Sequence, residues 1–177
     1  MTNDNPPNPL FTGINLAEAV GSGDGAAIRQ ISSEVESSVI QSNGTHTFIN
    51  TFLLLNQLDG KDFPIDVWQA LPDFLIKDIK DRSVILGCSE DLVHGMVGSF
   101  LRQNVYSAVE GEEPKLLNPD GYSAGYFHIA VAVGEAVYGM LKVTAEKRFN
   151  GDYALTKSLV TDYLSLVGEV ESESVSD

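Results

Sequence analysis

Hydrophobic positions along this chain recur every three to four residues almost from end to end, which is the period of helices rather than strands. Asn15–Val20 suits one helical turn, followed by the break Gly21-Ser22-Gly23-Asp24-Gly25. Asp24 then stands where a helix N-cap is expected. Ile28, Ile31, Val35 and Val39 follow on one face, with Arg29, Glu34, Glu36 and Ser37 off it. Ser42-Asn43-Gly44 is a stop signal, and Thr45 or Thr47 opens the next helix, which carries Phe48, Ile49, Phe52, Leu53 and Leu55. Residues 65–81 predict two short helices broken ahead of Pro72, because proline disfavours the helical conformation in the residue before it. In the second of these, Phe74, Leu75 and Ile79 face inward and Lys77, Asp78 and Lys80 outward. Ser83–Cys88 is β-like but too short and solitary to make a sheet. Ser89 caps a helix with the stripe Leu92, Val93, Met96, Val97, Phe100 and Leu101, running to about Val109. A long loop follows from Glu110. Asp152 opens a last helix with Leu155, Leu159, Leu164 and Leu166 as its apolar positions.

The most apolar stretch, Tyr122–Val143, decides the architecture. A membrane-spanning helix needs roughly 20 apolar residues, and only about 14 uncharged ones separate Asp120 from Glu135. Gly125, Ile129, Ala132, Ala136, Gly139 and Val143 share one seam, rich in small residues that let another helix come close. His128, Glu135 and Lys142 form a second, polar stripe beside it. The pattern is that of a buried central helix over 122–148, in an all-α single domain of about six or seven helices, a bundle or globin-like packing. Residues 1–13, with three prolines, are expected to form a disordered arm, 14–168 the helical domain, and 169–177 an acidic disordered tail.

Charge narrows the partners. The formal net charge is −14, from 25 acidic and 11 basic residues. This argues against nucleic acid and anionic membranes and for a protein partner that is basic, or a second copy in an oligomer. Cys88 is the only cysteine, so no disulfide forms within the chain, and the N-terminal sequence has no signal-like apolar run. Both features point to a reducing, cytoplasmic compartment.

Candidate chemistry is sparse. His46, His94 and His128 lie in no metal-ligand spacing, so no metal site is expected. Cys88 and His94 fall on different sides of one helix and make no catalytic pair. No phosphate loop, dinucleotide fingerprint or nucleophile elbow appears, and no catalytic residue is assigned. His128 and Glu135, seven residues apart on the central helix, are the candidates for lining a cofactor pocket, although no cofactor is assigned. Trp68, the sole tryptophan, and Gly125, Ala132 and Gly139 on the small-residue seam are the candidates for interaction. The expected role is that of a non-enzymatic adaptor, inhibitor or structural protomer. A helical cofactor binder and, behind it, a Cys/His-dependent enzyme are the alternatives.

The stretch from Asn104 to Tyr122, through Asn104, Glu112, Pro114, Leu116, Pro119 and Gly121, resembles a segment of the phycobiliproteins. The later Gly151–Gly168 segment is similar to that family's following helix pair, so the resemblance covers about a third of the chain. It implies a globin-like helical fold. The family's bilin-bearing cysteine would fall near Tyr126–Val131, where this chain has none, and its pigment-orienting Arg-Asp pair is missing. The resemblance therefore implies a pigment-free relative rather than a bilin carrier.

Overall fold

A computed structural model describes residues 9–60, 63–118 and 125–175. Among these, seven helices of ten or more residues form an all-α bundle without strands: α1 (Thr12–Gly21), α2 (Gly25–Glu34), α3 (Ser37–Asp59), α4 (Ile65–Leu86), α5 (Glu90–Phe100), α7 (Gly125–Arg148) and α8 (Tyr153–Val175). A 3-10 turn, Pro9–Phe11, leads into α1. A π-helical segment, Leu101–Tyr106, and the short α6 (Ser107–Val109) extend α5.

The central helix is α7. Every residue from Ile129 to Val137 is buried. α1, α2, α3, α4, α5 and α8 all pack on it, α1 most extensively. By length and hydropathy α7 is able to cross a membrane, but 78% of its most apolar window is covered by the other helices. Its small residues act where neighbours cross. A Cβ on Gly134 would lie 2.6 Å from Val20 Cγ2 and 2.9 Å from the Leu16 carbonyl oxygen of α1. A Cβ on Gly139 would lie 2.7 Å from Leu75 Cδ2 of α4. Ala132 is likewise sealed in the core. Gly125 is not part of this seam: it is exposed, with φ of 63° at the first helical position and nothing near its missing side chain.

Several boundaries differ from the sequence pattern, each for a physical reason. The turn expected at Asn15–Val20 is the full helix α1, starting at Thr12, and seven of its ten residues are buried. It therefore begins inside the stretch expected to be an arm, and residues 1–8 lie outside those described. The break between α2 and α3 falls at Val35 and Glu36, both extended, rather than at Asn43-Gly44. Asn43 and Gly44 stay helical because they are contact points. Asn43 Oδ1 accepts the Gly13 N–H at 2.7 Å, and Gly44 leaves room for Val133 Cγ1 and the Phe100 ring.

Pro72 does not break α4. It sits on the exposed face, while Val67, Leu71, Leu75, Ile79, Ser83 and Leu86 make an unbroken buried stripe around it, and that packing outweighs the lost backbone hydrogen bond. Ser83–Leu86 is not β-like but the last turn of α4. The turn ends in a Schellman cap: Cys88 N–H donates to the Ser83 carbonyl (2.9 Å), Gly87 N–H to the Val84 carbonyl (3.3 Å), and Gly87 takes φ of 68°. Ser89 and Asp152 cap α5 and α8 as expected, accepting from Leu92 N and Leu155 N. On α8 the buried face is Thr156, Val160 and Leu164; Leu155 and Leu166 point to solvent. The helix runs on to Val175, through most of the stretch expected to be a tail, and residues 176–177 lie outside those described.

Candidate functional site

Two places carry chemistry beyond core packing. The first is a buried charge cluster where α1, α4 and α7 meet. Glu135 is 1% exposed on α7. Arg82 reaches in from α4 and makes three kinds of contact. One guanidinium nitrogen donates to the Val20 carbonyl at the end of α1 at 2.8 Å, another pairs with Asp78 one turn back, and Nε lies 3.3 Å from Glu135 Oε1. Its plane also stacks 4.3 Å from the centroid of the Tyr138 ring. Asp78, expected to face outward, is thus drawn in by Arg82.

The charges in this cluster are unequal. Burial is the main force pushing the Glu135 carboxyl up, to about 9; a hydrogen bond with Asp78 adds to this, and Arg82 opposes it. Glu135 therefore favours its neutral form, and Arg82 Nε beside it favours the charged one. Glu135 and Asp78 share a hydrogen bond, which together with burial favours keeping a proton on the pair. Burial alone would lower the Arg82 pKa, but the two carboxyls outweigh it and raise it. Burial raises the Tyr153 phenol, whose ring lies 5.5 Å from that of Tyr138. Above the cluster is an open cleft of about 210 Å³, lined by Gly21, Gly23, Asp78, Asp81, Arg82 and Ile85.

The second place is a cavity of about 280 Å³ between α3 and the π-helical segment. Ile49, Ala108 and Pro114 give it apolar walls; Thr45 and Asn104 are its buried residues, and Ser42, His46 and Pro114 are exposed at its rim. The loop beside it is held by amides. Gln41 Oε1 accepts the Leu117 N–H (2.6 Å), Gln41 Nε2 donates to the Leu117 carbonyl (3.1 Å), and Lys115 N–H donates to the Gln103 carbonyl (3.0 Å).

The residues singled out from sequence are dispersed. His128 is half-buried near the start of α7, its ring 5.8 Å from Phe127. Glu135, two turns on, belongs to the Arg82 cluster, and His128 lines neither the cleft nor the cavity. Trp68 is half-buried in an aromatic cluster with Phe52 (5.8 Å) and Phe63 (6.5 Å). Cys88 is partly buried, its thiol pushed up chiefly by burial, and His94 faces Glu90 at 3.8 Å instead. Among the described residues, no three His, Cys, Asp or Glu side chains are grouped to hold a metal ion. A single asparagine carries no motif, so the sequence signals Asn104 only through its place in the Asn104–Tyr122 resemblance.

The class of protein that these features define is an all-α helical bundle with a buried polar cluster. No family model, no curated protein and no solved structure matches the chain.

Proposed function

We propose that this protein works by association rather than catalysis, holding a protein partner whose contact segment is apolar at its centre and basic at its edges. One observation carries this reading: α3 and α8 pack against each other, and both leave leucines in solvent. Leu53 and Leu58 are 44% and 55% exposed, Leu155 and Leu166 45% and 61%. Scattered exposed leucines are ordinary, and Leu53 and Leu58 lie well apart around α3; the reading therefore rests on α8, whose exposed leucines fall together. Leu155, Leu159 and Leu166, spaced four and seven apart, share one flank of α8.

Charge selects the partner. The sequence of α8 contains one lysine, Lys157, which pairs with Glu18, against Asp162, Glu169, Glu171 and Glu173. A second copy would bring the same acidic helix to the contact, so a basic partner fits better than self-association.

The test uses an amphipathic Lys/Leu helical peptide as the basic probe and a Glu/Leu peptide as its counterpart, read by fluorescence anisotropy. Saturable, salt-sensitive binding of the Lys/Leu peptide alone is expected. It should fall by about tenfold or more in the Leu155→Ser/Leu166→Ser variant, whose substitutions lie at exposed positions and leave the helical circular dichroism unchanged. Equal binding of both peptides, or binding indifferent to the two substitutions, removes the reading.

A further inference from the structure

Asn104, which lines the cavity between α3 and the π-helical segment, carries a buried acceptor without a partner. Asn104 is fully buried. Its Nδ2 donates to the Lys115 carbonyl at 3.1 Å, which fixes the orientation of the amide and leaves Oδ1 as an acceptor with no partner. Neighbouring donors are committed elsewhere: the Thr45 hydroxyl to the Gln41 carbonyl at 3.0 Å, the Lys115 N–H to the Gln103 carbonyl. A buried acceptor left in this state is costly, and native proteins rarely tolerate one without a water or ligand to meet it. The backbone is unusual at the same point. Leu101–Tyr106 is π-helical, a geometry that is less favourable than the α-helix and tends to occur at functional sites.

We infer that this cavity binds a small, uncharged organic molecule with an apolar body and one N–H or O–H donor. The donor meets Asn104 Oδ1, and the body lies between Ile49, Ala108 and Pro114. Size supports the class. A cavity of about 150 Å³ is enough to hold benzene, so about 280 Å³ has room for a fused two-ring molecule. The lining supports it too: apart from His46 at the exposed end, no residue around the cavity can carry a charge. Charged ligands would therefore enter without a counterion.

Indole and 1-methylindole make the decisive pair of probes, because they share one body and differ in the donor. Titration of the isotopically labelled full chain, followed by NMR, should show saturable indole shifts confined to residues 42–49 and 101–118. 1-Methylindole should bind about tenfold more weakly, having lost one hydrogen bond to a buried acceptor. Ala108→Phe, which fills the cavity from a half-buried wall, should abolish both. Absence of saturable indole binding, equal affinity for 1-methylindole, or indole binding undiminished by Ala108→Phe would each overturn the assignment. If Ala108→Phe does not fold, the indole pair on the unaltered chain decides alone.

Discussion

Glu135 is a carboxylic acid sealed in the interior, 1% exposed. Burial pushes its carboxyl up from the ordinary 4.5 to about 9, so between those values the folded chain favours a proton that the unfolded chain has lost. Stability from this group is complete below about pH 4.5 and declines as pH rises toward about 9. Glu135→Gln keeps the shape, donates to Asp78 and has no proton to lose. It should therefore be more stable than the unaltered chain at pH 8, by on the order of 2 kcal/mol, and its urea midpoint should be nearly constant between pH 5 and 9. Glu135→Leu should be less stable at pH 5, because it strands Asp78 and Arg82. At the same scale, Gly134→Ala forces a methyl against Val20 and the Leu16 carbonyl and should cost about 2 kcal/mol in denaturant melts. The sequence showed Glu135 as a polar member of an apolar rod but not its partners. Asp78 and Arg82, one helical turn apart on a helix rich in charge, look like an ordinary surface pair until α4 is laid against α7.

At the scale of elements, periodicity carried most of the bundle, and its failures came from tertiary contacts. Asn-Gly and an internal proline are sound stop signals in isolation. Gly44 remains helical because Val133 and Phe100 occupy the space a side chain would need, and Pro72 because its ring faces water while leucines on either side are buried. No local pattern contains those partners. Pro72 nonetheless keeps an unmade bond to the Trp68 carbonyl, so Pro72→Ala should raise the thermal midpoint, by the equivalent of about 1 kcal/mol. Gly87→Ala should lower it by about 1 kcal/mol, because the cap of α4 requires φ of 68° and the space around Gly87 is otherwise open. On α8 leucine content does not mark the inner face: among the described residues Thr156, Val160 and Leu164 are buried, while Leu155 and Leu166 are exposed.

For the whole molecule, two charge sites on opposite limbs of the pH scale set where the bundle is most stable. Arg148, at the end of α7, bonds Asp59 of α3 and Asp66 of α4, at 2.8 Å and 2.7 Å. Its hydrogen bonds hold the Asp66 carboxyl down at about 2, so this contribution is present above the unfolded value of 3.8 and is lost as pH falls through about 2. With Glu135 weakening the chain on the alkaline side, stability should peak near pH 4 to 5, which urea midpoints from pH 2 to 9 would reveal. Arg148→Met should flatten only the acid limb. Nothing in the sequence could announce this arrangement, because Asp59, Asp66 and Arg148 are brought together only when three helices converge. The clasp of Gln41 on Leu117 has a similar reach. A single carboxamide holds both the N–H and the carbonyl of one residue, Leu117, so the segment bearing Pro114 is moored to α3 there. Cut that mooring, as in Gln41→Ala, and the cavity loses a wall at the same moment that Leu117 loses its berth in the interior.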